Sequence, residues 1–339
     1  MSRRWLAPLG AVFGRLAALR VALYRRGWLA STRVRGPVIS VGNLSVGGSG
    51  KTPLVARIAE LAREAGLPVA VLSRGYRGAF RGEALVVSDG ERLLAGVAEA
   101  GDEAVMLARR LRGAVVAVGR RRDRVARAVE ARYGPRLHLL DDGFQHLRLR
   151  RDLDLVCVDP EDLDDRPLPA GRLREAPAAA ARADAVFVGA DAEGFARLLE
   201  QWPLLRERPA FRMARRVTGF ADLAGRPAVA PRRAWLLTGI ARPERFATDV
   251  RLGVGPPLGH SAFPDHHPFS AAELLDTARR AEAAGADAVL TTAKDAMRIA
   301  APPSALAFRV MESGLDLDDE SWLRERLAEL RRSRLAGAA

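Results

Sequence analysis

The stretch that most constrains the fold is Val38–Pro53, which reads VISVGNLSVGGSGKTP. An apolar run rich in β-branched residues leads into a cluster of glycines, and Lys51 and Thr52 follow it. This is the order of a strand, a phosphate-binding loop and a helix. Glycines let backbone N–H groups surround an anion, and the start of the helix adds the positive end of its dipole. Lys51 and Thr52 can then serve the terminal phosphates and Mg²⁺, so the stretch predicts a site for a nucleoside triphosphate.

The match to the phosphate-loop motif is imperfect, because Ser45 stands where the motif has its first glycine. A glycine-rich structural turn is therefore the alternative. Composition favours phosphate binding, since Lys51 and Lys294 are the only lysines among 54 basic residues. A compact ammonium suits close contact with phosphate oxygens better than a broad guanidinium does. The predicted nucleotide-binding residues are Gly47, Gly48, Ser49, Gly50, Lys51 and Thr52.

Length and composition exclude several classes of protein. The 339 residues, 48% of them hydrophobic, suffice for two domains with real cores. The formal charge of +13 favours anionic partners, but an aromatic content of 6% makes nucleic acid the weaker choice among them. A single cysteine, Cys157, excludes a disulfide framework. We therefore expect the catalytic part in a reducing compartment, which in a bacterium is the cytoplasm.

Residues 1–30 form a separate segment in which apolar side chains recur at helical spacing. Arginines at 15, 20, 25 and 26 interrupt the run, so we expect a helix that does not span a bilayer. Trp5, Tyr24 and Trp28 together with these arginines suit a helix that lies in an anionic membrane interface. An amphipathic helix packed on the protein's own core is the alternative, and a signal peptide is disfavoured.

The second motif is Leu137–His146, LHLLDDGFQH. An apolar strand that ends in Asp141 and Asp142 has the form of the element that brings a carboxylate to Mg²⁺ beside a phosphate loop. An Asp-Gly turn without a metal is the alternative. The two aspartates are predicted, with Thr52, to serve the metal.

Other loops follow predicted strands at the edge where open α/β sheets bind ligands. Arg74 and Tyr76 lie in one such loop, and the cluster Arg120–Arg124 lies in another. Each is either a contact for an anionic substrate or a solvated basic turn. Asp102 and Glu103 begin a helix, where acidic residues ordinarily pair with the helix dipole.

Strands alternate with helices along the chain, which predicts parallel sheets throughout. The expected fold is a phosphate-loop α/β/α domain with a mainly parallel sheet, a second smaller α/β/α domain, and an N-terminal amphipathic helix. The expected boundaries are 1–36 for that helix, 37–207 for the phosphate-loop core, and 208–336 for linker strands, the smaller domain and a closing helix.

The ordered set of motifs resembles the tetraacyldisaccharide 4′-kinases of lipid A biosynthesis. The resemblance runs along nearly the whole chain through GNLSVGGSGKTP, VLSRGYRG, GDE at 101–103, DDGFQH at 141–146, LPAGRLRE at 168–175, TGIARPERF, FPDHHPF and TTAKDA. The family's phosphate loop also lacks the first glycine. Two departures are visible, Ala176 in place of proline and Ala293 in place of glutamate, and the second leaves the role of Lys294 open.

The resemblance implies transfer of the γ-phosphoryl group of ATP, with Mg²⁺, to the 4′-hydroxyl of a tetraacyldisaccharide 1-phosphate, which gives lipid IVA. By the same likeness Asp102 is the proton acceptor, assisted by His266, while Lys51 neutralises the transferred phosphate. The substrate contacts expected from the family are Arg74, Tyr76, Arg124, Gln145, Arg174 and Glu175. The expected location is the cytoplasmic face of the bacterial inner membrane, as a peripheral protein on its anionic surface, with a monomer favoured and no nucleic-acid partner.

Two other functions stay open on the sequence. One is an ATPase or GTPase switch of the partitioning or metallochaperone type at the membrane surface, although such loops usually carry a lysine where Val46 precedes the glycine pair. The other is a non-enzymatic basic adaptor on anionic membranes. That adaptor would need neither Asp102 nor Asp141.

Overall fold

The computed structural model describes residues 4–47, 50–299 and 306–335. The chain forms two compact units, one of Met1–Ala214 with Asp316–Ala339 and one of Arg215–Leu315. Up to the boundary the elements are, in chain order, α1 (Ala7–Arg25), β1 (Val38–Asn43), α2 (Lys51–Glu64), β2 (Val69–Ser73), β3 (Leu85–Ser88), α3 (Val97–Ala100), α4 (Asp102–Arg110), β4 (Val115–Val118), α5 (Arg122–Tyr133), β5 (Leu137–Asp141), β6 (Leu153–Val158), β7 (Ala185–Gly189), α6 (Ala192–Gln201), α7 (Leu204–Glu207) and β8 (Ala210–Ala221).

The remaining elements begin in the second unit, except for the last helix. They are β9 (Ala234–Thr238), α8 (Pro243–Gly253), β10 (Gly259–Ala262), α9 (Ala271–Ala283), β11 (Ala288–Thr292), α10 (Ala293–Ala296), β12 (Ala307–Leu317) and α11 (Ser321–Arg334). The last helix belongs to the first unit.

The sheet of the first unit has the strand order β8-β7-β6-β1-β5-β2-β4-β3. Strands β1, β5, β2 and β4 are parallel to one another and buried along their whole length. Burial on both faces is typical of parallel sheets that helices cover on each side. Because these strands run the same way, the loops that follow them meet at one edge, where β1 and β5 lie side by side.

One strand departs from the parallel prediction. β3 pairs antiparallel with β4. A parallel neighbour requires a crossover connection, usually a helix. The chain between β2 and β3 contains no helix and turns back from the edge at which β2 ends, so β3 runs in the opposite direction.

The second unit has the strand order β10-β9-β11-β12, with every pair in this set parallel. Apolar side chains from β9, β11 and α9 form its core, among them Trp235, Leu237, Leu274 and Val289. The predicted α/β class with mostly parallel sheets is thus confirmed, and the sequence reasoning had not identified β3, β7, β10 and α6.

The closing helix α11 packs on the first unit, whereas the sequence prediction grouped it with the second half of the chain. The Arg57 guanidinium of α2 donates to both carboxylate oxygens of Glu320 at 2.7 and 2.8 Å, and Arg331 donates to the Ala65 carbonyl at 2.7 Å. These contacts join residues more than 260 positions apart. No local pattern in the sequence could have indicated them.

Helix α1 exposes the side chains that would have to pack inward if it were a core helix. Leu9 and Leu16 are more than half exposed, and Gly10 is the helix's one buried residue. Gly10 and Gly14 lie against Pro167, and a Cβ at Gly10 would come within 2.8 Å of the Pro167 carbonyl oxygen. The core-packing alternative is therefore wrong. By length and composition the helix could also cross a membrane, which the sequence reasoning had excluded because of the arginines.

Candidate active site

The phosphate loop connects β1 to α2 at the edge described above. Gly47 and Gly50 have φ values of +130° and +83°, a region that favours glycine. Gly50 is the residue immediately before α2, so its left-handed backbone turns the chain into the helix. Gly48 and Ser49, which the sequence assigns to the nucleotide site, lie outside the described residues.

The segment before these glycines is paired with a second loop. Ser45 is buried and forms an antiparallel bridge with Leu173. The Val46 N–H donates to the Arg172 carbonyl at 2.8 Å, and the Arg174 N–H donates to the Leu44 carbonyl at 2.6 Å. An extended, paired residue does not need the conformational freedom of glycine. This pairing explains why serine occupies position 45, and it places the 168–175 loop beside the phosphate loop.

Lys51 and Thr52 begin α2 and face the two aspartates at the end of β5. The Lys51 ammonium lies 3.5 Å from Asp142 Oδ1 and donates to the Gly47 carbonyl at 3.4 Å. The Thr52 hydroxyl donates to Asp141 Oδ2 at 3.4 Å. The two sequence motifs, separated by about 90 positions, therefore form one site.

Asp141 is a buried carboxylate with an unsatisfied oxygen. Burial, with the nearby charges of Glu103 and Asp142, raises its pKa to about 7. Its Oδ1 atom is buried and has no hydrogen-bond partner in the part of the chain that the structure describes. A buried acceptor without a partner is costly and requires an explanation such as a bound ion.

The surroundings of Asp142 shift its pKa in the opposite direction. Burial alone would raise its pKa, but the positive charges of Lys51 and Arg174 outweigh burial and hold that pKa below its ordinary value. Arg174 Nη1 donates to both Asp142 carboxylate oxygens, at 2.8 and 2.9 Å. The Asp142 backbone has φ +57°, which turns the chain out of β5. Asp142 is therefore an ionised partner for two cations.

Gln145 and Glu175 connect the segments that carry these site residues. The Gln145 amide donates to the Asn43 carbonyl at 3.0 Å and to Glu175 Oε1 at 2.9 Å. Glu175 is buried and accepts two hydrogen bonds from Arg182, whose guanidinium also lies 3.6 Å from the centre of the Phe144 ring. These contacts tie the β1 end, the loop after β5 and the 168–175 loop together.

Arg122 is a site residue that the sequence reasoning did not single out. It is buried, and burial lowers its pKa to about 10, while the charges of Asp142 and Asp141 raise it and those of Arg74 and Arg174 lower it. These charges act on Arg122 because its guanidinium lies near the two aspartates and near Arg74 and Arg174.

Arg124, which the sequence did select, forms an exposed ion pair with Glu83 instead. The helical periodicity of α5 distinguishes the buried Arg122 from the exposed Arg124. Arg122 stands three and four positions before the buried Val125 and Ala126 on α5, and so belongs to the inward face.

Asp102 is the first residue of α4 and is buried. Its Oδ1 accepts a hydrogen bond from the Glu103 N–H at 2.9 Å. Gly101 precedes it with φ +87°, and a Cβ there would lie 2.3 Å from the Tyr76 carbonyl oxygen. The glycine therefore lets the Arg74–Gly78 loop approach the start of α4, while the Tyr76 ring stays exposed.

His266 and His267 lie in the second unit and differ in their surroundings. His267 stacks on Phe263 with ring centres 4.7 Å apart, and its Nε2 lies 2.9 Å from Glu273 Oε1. His266 has φ +62°, and its N–H donates to the Gly239 carbonyl at 2.8 Å. Its Nε2 lies 3.1 Å from the Lys294 ammonium. His267 is thus held by packing in the fold, and His266 is the candidate for chemistry.

The residues around Asp141 fit a magnesium ion that is shared with phosphates. Thr52 and Asp141 supply oxygen atoms, which Mg²⁺ prefers, and the unpartnered Oδ1 is a ready ligand. Among the residues that the structure describes, no three His, Cys, Asp or Glu side chains could hold a metal ion as a cluster. Such a site suits an ion that keeps several waters and binds with its nucleotide.

Comparison with known proteins adds an independent line of evidence. A family model described as "Tetraacyldisaccharide-1-P 4'-kinase" matches residues 2–331. A curated "Tetraacyldisaccharide 4'-kinase" from Anaeromyxobacter dehalogenans (strain 2CP-C) is 44% identical over 301 residues, which cover 85% of this chain and 79% of the relative. One from Desulfotalea psychrophila is 38% identical over 301 residues, which cover 86% of each.

A solved structure is similar as well. It is the crystal structure of the "apo" form of LpxK from Aquifex aeolicus in complex with ATP, with a TM-score of 0.81 and 30% sequence identity. The match covers 97% of this chain and 99% of the solved one. The similarity therefore extends over both units of the chain.

Proposed function

Because the chain belongs to the family of tetraacyldisaccharide-1-P 4′-kinases, we propose that it transfers the γ-phosphoryl group of ATP to the 4′-hydroxyl of a tetraacyldisaccharide 1-phosphate. The product is a lipid IVA-type bisphosphate. The observation that carries this proposal is the constellation of Lys51, Thr52, Asp141, Asp142 and Arg174 at the end of β1 and β5. Curated relatives that are kinases favour this function over a nucleotide-dependent switch.

Asp141 and Thr52 would hold Mg²⁺, and Asp142 would position the two cations. Asp141 has the unpartnered oxygen, whereas both oxygens of Asp142 accept from Arg174. When bound, the ion supplies neutralisation of charge on the phosphate oxygens. Lys51 then leaves Asp142 to contact phosphate, and Arg174 keeps Asp142 paired while it does so.

The reaction needs a group that accepts the proton of the sugar hydroxyl. We assign this role to Asp102, whose carboxylate takes the proton as the O4′–phosphorus bond forms and the bond between phosphorus and the ADP oxygen breaks. ADP leaves with the electron pair of that bond. Positioned general bases contribute roughly 10²- to 10⁴-fold in rate. We also propose that His266 assists Asp102 in this step.

The acceptor carries a 1-phosphate, and the basic loops offer its contacts. Arg74 is exposed at the end of β2, and Arg122 lies buried nearby. Tyr76 presents an exposed ring in the same loop as Arg74. Gln145 and Glu175 act by holding Arg174 in place, and Arg124 contributes through the general positive charge of this surface.

Membrane association would come from α1. Its exposed apolar side chains and flanking arginines suit the interface of an anionic bilayer. We propose a peripheral, monomeric protein on the cytoplasmic face of the inner membrane. Release from vesicles by alkaline carbonate would support peripheral attachment, and retention would favour a helix that crosses the bilayer.

The function is tested with ATP labelled at the γ-phosphate, Mg²⁺ and a panel of glycolipid acceptors that carry or lack the 1-phosphate. Thin-layer separation should show label in the lipid only when a tetraacyldisaccharide 1-phosphate is present. The Asp102→Asn variant should lose about 10²- to 10⁴-fold in kcat. Label that accumulates only as inorganic phosphate, equally with and without acceptor, would contradict the kinase proposal and favour the switch.

A further inference from the structure

Lys294 contacts the proposed catalytic histidine directly. Its Nζ lies 3.1 Å from His266 Nε2 and 3.5 Å from Asp265 Oδ1. The lysine side chain is 19% exposed and that of His266 is 7% exposed. In a chain with 54 basic residues and only two lysines, one lysine begins the phosphate-loop helix and the other touches this imidazole.

The chemistry of the contact determines where the histidine carries its proton. A lysine ammonium has three donors and no acceptor, so the nitrogen that it contacts must present a lone pair. This contact corresponds to the tautomer of His266 that carries its proton on Nδ1. The second ring nitrogen of a histidine is ordinarily set in this way by the group that the first one contacts.

Hydrogen bonds connect the segments that carry Lys294 and His266. The Gly239 carbonyl accepts from the His266 N–H at 2.8 Å and from Arg298 Nη2 at 3.0 Å. Arg298 also pairs with Asp295, which follows Lys294 in α10. Thr292 immediately precedes this short helix, and its hydroxyl accepts from the Asp295 N–H at 3.0 Å. The His266 backbone and the short helix that carries Lys294 are therefore linked through the Gly239 carbonyl and Arg298.

Asp265 places a negative charge beside Lys294 and His266. Its carboxylate oxygens lie 3.5 Å from Lys294 Nζ and 3.7 Å from His266 Nε2. The carboxylate offsets the charge of the ammonium next to the ring and keeps the lysine in place.

We propose that Lys294 is a positioning residue that holds His266 neutral with its proton on Nδ1. This inference rests on the proposed role of His266 in the kinase reaction. In that form the ring donates only through Nδ1–H, so Lys294 sets which ring nitrogen of His266 carries the proton in the reaction that we assign to it. Lys294 acts through His266 and need not touch the substrate.

The test uses the full-length protein and three variants. Lys294→Met keeps the length of the side chain and removes the donor, and Lys294→Arg keeps a donor. Arg279→Met, at an exposed position of α9, is the matched control for loss of one positive charge. The readout is the pattern of ¹⁵N–¹H correlations of the imidazoles, which distinguishes the Nδ1–H from the Nε2–H form. With five histidines in the chain, His266 is assigned from the signal absent in His266→Asn.

The proposal predicts the Nδ1–H form of His266 in the native protein and in Lys294→Arg, and conversion to the Nε2–H form in Lys294→Met. The kcat of Lys294→Met should fall at least tenfold with an unchanged KM for ATP. Lys294→Arg should recover part of that loss, and Arg279→Met should match the native protein.

An Nε2–H form in the native protein would overturn the proposal, and so would a kcat of Lys294→Met equal to that of the native protein. Failure of the kinase function itself would appear differently. The native protein would then give no labelled lipid, while the imidazole spectra would still decide the contact between Lys294 and His266.

Discussion

Asp141 and Asp142 are adjacent in sequence, and their environments separate their roles. Asp141 loses solvent without gaining a cation partner of its own, so its pKa rises to about 7. Asp142 gains Lys51 and Arg174, so its pKa falls although it too is buried. An acid with a raised pKa holds a proton that a metal ion can displace. At the scale of single residues, this difference supports our proposal that Asp141 holds the ion.

The first prediction concerns Asp141→Asn. The folded carboxyl has a pKa of about 7 and the unfolded one about 4, so between these values the folded state binds more protons. The free energy of unfolding of the native protein without Mg²⁺ should therefore fall as pH rises from about 4 to about 7. Thermal melts at pH 8 should show Asp141→Asn more stable than the native protein, with kcat lost.

The control for that prediction is Mg²⁺ with a non-hydrolysable ATP analogue. Together they should raise the melting temperature of the native protein and leave that of Asp141→Asn nearly unchanged. An equal rise in both proteins would contradict the assignment of the ion to Asp141.

Local sequence motifs predict the candidate site residues that lie within them, and they do not indicate residues whose role depends on neighbours in space. Lys51, Thr52, Asp141 and Asp142 were predicted because strand ends and glycine loops leave short signatures. The partner of Ser45 is Leu173, which lies 128 positions away in sequence. The residues next to Ser45 in the sequence therefore do not indicate why a serine occupies this position. The contact of Lys294 with His266 was invisible for the same reason.

At the scale of elements, Glu130 joins α5 to the start of the phosphate-loop strand. It accepts from the N–H groups of Arg35 and Gly36 at 3.0 and 2.6 Å, and His138 Nε2 lies 3.2 Å away. Burial alone would raise its pKa, but these hydrogen bonds lower that pKa to about 2. The carboxylate therefore fixes the entry into β1 from a helix packed beside it.

The second prediction is that Glu130→Gln destabilises the protein at pH 7 by about 1–3 kcal/mol, because two backbone donors lose a charged acceptor. The folded pKa is depressed, so the stabilisation is present above pH 4.5 and is lost as pH falls toward about 2. Urea unfolding at several pH values measures this. Glu193→Gln, at an exposed position of α6, should have little effect, and a pH-independent difference for Glu130→Gln would contradict the account.

The third prediction concerns α1 as an interface helix. Replacement of Leu9, Leu16 and Leu19 by serine should weaken binding to vesicles that contain phosphatidylglycerol at least tenfold, since each leucine withdraws apolar area from water at roughly 25 cal/mol per Å². Replacement of the exposed Leu93 and Leu94 by serine is the matched control. Sedimentation with vesicles measures both. Equal binding by the two variants would show that α1 does not anchor the protein.

At the scale of the whole molecule, the alternation of strands and helices predicted the class of fold and the edge at which the ligand loops meet. It did not predict that the chain returns from the second unit so that α11 covers α2 through Arg57 and Glu320. It also missed the reversal of β3, because a short strand after an irregular loop leaves no periodic signal. Topology of this kind is set by contacts between distant segments, which a single sequence does not display.

The central claim is that the chain phosphorylates one hydroxyl of a glycolipid. The most direct measurement is ³¹P NMR of the purified lipid after incubation of the full-length protein with ATP, Mg²⁺ and a tetraacyldisaccharide 1-phosphate. The account predicts a second phosphomonoester, coupled to the proton at position 4′, that is absent with Asp102→Asn. A lipid that keeps its single phosphate while ATP is consumed, or one phosphorylated at another position, would contradict it.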